Sequence, residues 1–417
     1  MGSILSNCCP NEPREDKPKK NKDIVRFFMV GTGAAGKTTV IRQLKCLCKE
    51  RPNNYKVYDE DWNRIPIDSI FSESEMARFR KIIQNNILTA VYNLIQVHSP
   101  IEKLIPKELQ QTNDWESNYK RSKSAESIVT FVEQADIDNR DLFTTTVPSS
   151  LRDDLIDVLC DHHINETLQV HHKMAREWRL EDGTLKFLDE SQIRRVFDES
   201  AELTTTDIVH LRYPTTGIQD FKFSIDGTYI QIHDMGGQPT EMMQVPVHMQ
   251  QWIDNDQEGY TNFVLFVTSM ADFNVEDEEE PSRTAMERSI KILQRILSVS
   301  AIGSCGLLIF YNKQDRFDSI VTALASTEEG RKELCKYLGD TLKEADRKKL
   351  LNGNCPLETL RDAVANKYEQ VISEKKKRDG TIFSRYTQAI DPTLMADIFH
   401  VIQSKIINDF FKRIQFI

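Results

Sequence analysis

The sequence predicts an α/β fold, a mixed sheet flanked by helices and interrupted by an inserted all-α domain. Three observations predict it. A compact apolar run at 24–30 leads straight into a glycine-rich stretch at 31–38 and then a helical pattern, so the chain opens as strand, loop, helix. A long block of helical periodicity follows, reaching to about residue 200. From about 207 onward, short apolar runs alternate with helices, as in a sheet covered on its faces.

Taken in order, the amino-terminal tail is polar, and Pro10, Pro13 and Pro18 forbid one continuous helix there. The run Ile24–Val30, interrupted only by Arg26, is expected to be a buried strand, and 37–49 a helix. Residues 50–72 are expected to be irregular, because Arg51-Pro52-Asn53-Asn54 is a breaker. Met76, Phe79, Ile83, Ile87, Ala90 and Leu94 recur at helical spacing, with Ser72 or Ser74 as the cap. Within the helical block, His162-His163 and His171-His172 lack a carboxylate or Cys at ligand spacing and read as solvated or packing residues.

Beyond it, Phe221, Phe223 and Ile225 alternate, Asp226-Gly227 is a hairpin turn, and residues 229–232 form the return strand. The runs 263–267 and 307–311 suit strands buried on both faces. Residues 276–281 are expected to open a helix, with acids at its positive end and Pro281 in its first turn. The pair Asp391-Pro392 opens the last helix, whose stripe is Met395, Ile398, Ile402, Ile406 and Phe410. The basic run 375–378 reads as a solvated helix end or loop. The expected organisation is a tail at 1–23, a first sheet segment at 24–56, a helical domain at 57–206 and a second sheet segment at 207–417.

Composition narrows the function classes. The chain has 417 residues and a net charge of −10, against the basic excess of a general nucleic-acid binder, so no nucleic-acid partner is expected. No apolar run approaches the roughly 20 residues that span a bilayer, and the start lacks the apolar core of a secretory signal. A lipid tether remains open. Met1-Gly2-Ser3-Ile4-Leu5-Ser6 fits the pattern for myristoylation of Gly2, and Cys8 and Cys9 offer thiols for a palmitoyl chain, the second signal that stable anchoring needs. The expected location is the cytoplasmic face of the plasma membrane. Cys46, Cys48, Cys160, Cys305, Cys335 and Cys355 have no zinc-finger spacing and fit a reducing compartment.

Three motifs carry chemistry. Gly31-Thr32-Gly33-Ala34-Ala35-Gly36-Lys37-Thr38 fits G-x-x-x-x-G-K-[ST] between a strand and a helix. Backbone N–H groups of such a loop curl around phosphates, the Lys37 ammonium reaches the β- and γ-phosphates, and the Thr38 hydroxyl ligates Mg²⁺. Asp234-Met235-Gly236-Gly237-Gln238 ends a strand: Asp234 can hold Mg²⁺ through water, the Gly237 N–H can meet a γ-phosphate, and Gln238 can orient the attacking water. Asn312-Lys313-Gln314-Asp315 follows a buried strand and suits guanine, whose N1–H and exocyclic amine offer a carboxylate two donors that adenine does not pair.

These motifs in this order resemble the regulatory P-loop (Ras-like) GTPases, and the helical insertion narrows the resemblance to the α subunits of heterotrimeric G proteins (Gα). The resemblance covers nearly the whole chain. It implies GTP and GDP as ligands, Mg²⁺ as cofactor, and hydrolysis of GTP to GDP in a switch that couples a membrane receptor to an effector. Asp207-Ile208-Val209-His210-Leu211-Arg212-Tyr213-Pro214-Thr215 resembles the first switch, which makes Arg212 the arginine supplied in cis and Thr215 a second Mg²⁺ ligand. Thr39, Asp182 and Leu211 are implied as further nucleotide contacts, Asp182 within a segment, 176–183, that faces the nucleotide in that family. Thr387-Gln388-Ala389-Ile390 resembles the guanine-side loop, with the Ala389 N–H near the base oxygen. Implied partners are a G protein-coupled receptor at the carboxyl-terminal helix, a Gβγ dimer, an effector and a GTPase-accelerating protein.

Departures from the family mark where it transfers least. Ala34 and Ala35 replace Glu-Ser, so Arg212 loses a carboxylate partner, and exchange is expected to be fast. Pro239 replaces the Arg after the catalytic Gln, and Met242 and Met243 stand where the family is basic, so the second switch is expected to be less rigid or to contact effectors differently. Gln388 and Ile390 replace Cys and Thr, and extra loops are expected around 104–125 and 134–150. The amino-terminal prolines put Gβγ docking in question. The alternative reading is a GTP-binding interaction module uncoupled from Gβγ, with little hydrolysis. A metabolic P-loop kinase or ATPase is disfavoured by the guanine motif and the Arg212–Thr215 segment.

Overall fold

A computed structural model describes residues 24–97, 121–138, 145–169, 180, 182–213, 218–236, 239–254, 260–277, 279–374 and 380–414. Gly2, Cys8, Cys9, Thr215, Gly237 and Gln238 lie outside these residues, as do the 375–378 run and His171-His172. The chain divides into two compact units, one of Phe71–Pro214 and one that joins Met1–Ile70 to Thr215–Ile417.

The sheet unit begins with β1 (Ile24–Val30), buried along its whole length, then α1 (Lys37–Glu50) and β2 (Tyr55–Tyr58). The last of these corrects the expectation that 50–72 is irregular. Tyr55 and Val57 point inward, 4% and 5% exposed, and the Tyr58 hydroxyl hydrogen-bonds with Ser224 Oγ at 3.1 Å. Four residues with one polar member carry too little periodicity to read as a strand. It is the distant pairing partner that makes them one.

The helical unit contains α2 (Glu73–Val97), α3 (Lys123–Ile137), α4 (Leu151–Cys160), α5 (His162–Gln169), α6 (Asp182–Leu185), α7 (Glu190–Phe197) and α8 (Thr205–His210). Ser72 caps α2, its Oγ accepting from Glu75 N at 3.1 Å. The α2 stripe falls as its spacing requires: Ile83, Ile87, Ala90 and Leu94 are buried, with Met76 and Phe79 packed at the margin. Their partners include Ile128 and Val132 of α3, Leu155 of α4 and Ile193 of α7. The unit ends beyond the expected 206, at Pro214, because Leu211 is buried in its core. It begins after the expected 57, because β2 belongs to the sheet.

The sheet unit resumes with β3 (Ile218–Ile225), β4 (Thr228–Met235), α9 (Pro239–Asp254), β5 (Thr261–Ser269), α10 (Ala285–Leu297), β6 (Gly306–Asn312), α11 (Gln314–Ala325), α12 (Glu328–Leu338), α13 (Glu344–Leu351), α14 (Leu357–Glu374), β7 (Ile382–Tyr386) and α15 (Pro392–Ile414). The strands form one mixed sheet in the order β2-β3-β4-β1-β5-β6-β7. Pairs β1–β4, β1–β5, β5–β6 and β6–β7 are parallel, while β2–β3 and β3–β4 are antiparallel. Strands β1 and β6 are buried throughout, as a parallel sheet with helices on both faces requires.

Residues 276–281 do not open a helix. Asp277 Oδ1 instead accepts from Glu279 N and Glu280 N at 2.7 and 2.9 Å, which closes a turn. Helix α10 starts later, behind the reciprocal cap of Thr284 and Glu287. The Asp391-Pro392 start holds, with Asp391 Oδ1 accepting from Thr393 N and Leu394 N at 2.9 Å each. Cys46 and Cys48 are both buried in α1, and burial, with the Glu50 carboxylate adding to it, pushes the Cys46 thiol up to about 12, so neither is a reactive or metal-ligating thiolate.

Candidate functional site

Four loops leave the carboxyl ends of parallel-paired strands: 31–36 after β1, 234–236 at the end of β4, 312–315 after β6 and 387–391 after β7. Open α/β sheets bind ligands at this edge.

The first loop is shaped by glycines that could be nothing else. Gly31 has φ +152°, and a Cβ there would lie 2.0 Å from Val267 O. Gly36 has φ +100°, and a Cβ there would lie 2.2 Å from Asn312 Nδ2. Ala34, at φ +60°, adopts the left-handed conformation despite its methyl group. Gly33 and Ala34 are exposed at the loop's crest, while Thr32 and Ala35 are buried beneath it. Helix α1 then begins at Lys37 with no side-chain cap and no acidic residue in its first turn. A helix start of this kind is suited to receive an anion. Lys37 Nζ arches back over the loop, donating to Gly31 O at 2.7 Å and Thr32 O at 3.1 Å. An ammonium held there sits where phosphate oxygens cradled by the loop would need it. Thr38 and Thr39 follow in the first turn of α1, both half-buried.

Asp234 is fully buried at the end of β4, paired across the sheet with Met29 of β1. Its Oδ2 lies 3.5 Å from Thr38 Oγ1. A hydroxyl and a carboxylate side by side are hard oxygen donors that suit Mg²⁺. Among the described residues no group of three or more His, Cys, Asp or Glu could hold a metal.

Asn312 joins the loops. It is 2% exposed at the end of β6. Its Nδ2 donates to Ala35 O at 2.8 Å, and its Oδ1 accepts from Thr387 Oγ1 at 3.2 Å and Ala389 N at 3.0 Å. One carboxamide thus ties the phosphate loop to the loop after β7. Lys313, at φ +59°, turns the chain sharply into α11 and leaves Asp315 exposed in that helix's first turn, where the helix dipole favours a carboxylate. The loop after β7 is fixed further by Gln314 N to Thr387 O at 3.2 Å and Thr387 N to Tyr311 O at 2.8 Å. The Ala389 N–H, expected near the base oxygen, donates to Asn312 Oδ1 in this structure.

The structure therefore brings Gly31, Thr32, Gly33, Ala34, Ala35, Gly36, Lys37, Thr38, Thr39, Asp234, Asn312, Lys313, Asp315 and Ala389 to one edge of the sheet unit. Asp182, Leu211 and Arg212 belong to the helical unit. Asp182 starts α6, and Leu211, 3% exposed, lies in the helical core, so only its backbone is left for a ligand. Arg212 follows α8 and is half-buried. Asn86, which donates to Arg212 O at 2.9 Å, was not singled out by motif. The signal that could have found Asn86 is the run of three consecutive carboxamides, Gln84-Asn85-Asn86, between the apolar Ile82-Ile83 and Ile87-Leu88.

A family model of the G-protein alpha subunit matches residues 6–406. The guanine nucleotide-binding protein alpha-7 subunit of Dictyostelium discoideum is 22% identical to this chain over 312 residues, which cover 74% of this chain and 66% of that relative. The matched region thus spans just under two thirds of the relative's length.

Proposed function

The chain belongs to the G-protein alpha subunit family, and from that premise we propose that it is a GTP-hydrolysing switch that passes a signal from a membrane receptor to an effector. The observation that carries the nucleotide reading is the Asn312 carboxamide, which bonds to the phosphate loop and to the loop after β7 at once. Phosphate and base contacts are thereby set in one rigid frame. Asp315 takes the two guanine donors, and Lys37 together with the N–H groups of 31–38 takes the phosphates.

Hydrolysis transfers the γ-phosphoryl group to water, breaking its bond to the β-phosphate oxygen and leaving GDP and inorganic phosphate. Negative charge builds on the transferring oxygens, and Lys37 and the loop N–H groups are pre-organised against it. By the family resemblance, Gln238 orients the water and Arg212 adds its guanidinium. Thr38 and Thr215, with Asp234 acting through water, would hold Mg²⁺, which would neutralise phosphate charge. Gly2, with Cys8 or Cys9, is proposed to carry the lipid that holds the chain at the cytoplasmic face of the plasma membrane.

The test is competition binding of a fluorescent GTP analogue against GTP, GDP and ATP, followed by single-turnover GTP hydrolysis. Displacement by GTP and GDP but not ATP, with release of phosphate, is expected. Preferential displacement by ATP would overturn the reading. In cells, Gly2→Ala is expected to move the protein from membranes to the soluble fraction.

Pro239 after the catalytic Gln and the amino-terminal prolines favour a second reading, a GTP-binding interaction module uncoupled from Gβγ with little hydrolysis. Nucleotide release measured with and without Gβγ separates the two: slowing by Gβγ supports the coupled switch.

A further inference from the structure

Arg212 is held from the helical unit, by contacts that no motif announces. Three consecutive residues are fixed in three ways. Leu211 buries its side chain in the helical core. The Arg212 carbonyl accepts from Asn86 Nδ2 at 2.9 Å. The Tyr213 hydroxyl accepts from Arg78 Nη2 at 2.7 Å, with the Arg78 guanidinium 4.8 Å from the centre of the ring. Arg78 and Asn86 are both on α2, eight residues apart and so on the same broad face. Arg212 itself follows the end of α8, outside regular structure. The Asn86 bond holds its carbonyl, and holding the carbonyl restrains the backbone from which the side chain leaves.

We propose that Asn86 is a positioning residue for Arg212 in GTP hydrolysis, a role that rests on the hydrolytic reading above. A guanidinium on a long, flexible stem contributes to a transition state only if its starting point is fixed. A displacement of about 1 Å is enough to cost on the order of 10²-fold in rate.

The experiment measures single-turnover GTP hydrolysis and GTP-analogue affinity for the full-length wild type, Asn86→Ala, Asn86→Asp, Arg212→Ala and the Asn86→Ala/Arg212→Ala double variant. Thermal melts accompany each. Asn86→Asp keeps the size of the side chain and loses the donor, so it reports on the bond even where alanine perturbs folding. Both Asn86 variants are expected to slow hydrolysis by about 10- to 100-fold, with analogue affinity unchanged within about threefold and melts close to wild type. In the Arg212→Ala background, Asn86→Ala is expected to add no further slowing. Wild-type rates in the Asn86 variants would overturn the proposal, and so would equal slowing with and without Arg212. A wild-type protein that binds GTP but releases no phosphate would overturn the hydrolytic reading itself, an outcome distinct from active wild type with indifferent Asn86 variants.

Discussion

Asn312 makes three hydrogen bonds that only a carboxamide can make together, donating through one atom and accepting twice through the other. Asn312→Ala would leave Ala35 O and Ala389 N without this partner in a buried setting, at about 1–3 kcal/mol for each group. A fall of at least tenfold in GTP-analogue affinity is expected, with a lower unfolding midpoint. Unchanged affinity in a fluorescence titration would show that the loops hold each other without it. Ala34 gives the opposite sign. Its φ of +60° costs roughly 1–2 kcal/mol in left-handed strain, against roughly 0.5–1 kcal/mol that glycine loses through the unfolded chain. Ala34→Gly is therefore expected to stabilise the sheet unit by less than about 1 kcal/mol, read from denaturant unfolding; a destabilised variant would mean that the methyl group packs usefully. At this scale the sequence was informative. The glycine spacing announced the phosphate loop because close approach and positive φ admit few other residues. The bond from Asn312 to Ala35 was not legible, because a tetrapeptide pattern does not say which loop lies beside it.

Helix α8 shows what an element needs beyond propensity. It has six residues, too few to be stable alone. Asp207, with no exposed side-chain surface, holds it by accepting from Thr204 N at 2.8 Å and from Arg195 Nη1 and Nη2 at 2.7 and 2.9 Å, with Lys186 Nζ 3.4 Å away. Burial alone would raise its carboxyl pKa, but the bonds from Arg195 and Thr204 outweigh burial and hold it down at about 2. A depressed carboxyl contributes stability that is fully present above about pH 4 and is lost as pH falls through about 2, worth about 2 kcal/mol. Acid unfolding of the helical unit should therefore separate wild type from Asp207→Asn at pH 6, and the two curves should converge between about pH 4 and 2. A difference that persists at pH 2 would mean that shape rather than charge is at work. The same lesson covers what was misread. The acids at 276–280 and Pro281 have the composition of a helix start, but the side-chain caps of Thr284 and Glu287 decide where α10 begins. Strand β2 exists because Tyr55 to Tyr58 find Ile225 to Lys222 across the sheet, and no local pattern contains that partner.

The split of the α/β unit by a helical insertion was legible at the scale of the whole molecule because the order of motifs along the chain carries it. The boundaries at Ile70 and Pro214 were not, because they depend on which core buries Val57 and Leu211. Among the described residues, one hydrophobic cluster is built on α2 to α7 and another on the sheet and its helices. Loops 31–36, 312–315 and 387–391 all hang from the sheet unit, so a nucleotide bound there stabilises that unit by mass action, by about 2.7 kcal/mol at 100 times its dissociation constant. Thermal unfolding with a GTP analogue and Mg²⁺ is expected to raise the transition of the sheet unit in proportion to the logarithm of ligand concentration. Chelation of Mg²⁺ should remove part of that gain, because Thr38 and Asp234 are the only metal-suited oxygens brought together among the described site residues. Thr38→Ala should lose the same part without any chelator, and adding chelator to that variant should change little more. If chelation instead lowered both transitions equally in wild type and Thr38→Ala, the ion would be acting elsewhere, and the assignment of Thr38 and Asp234 to the metal would fall.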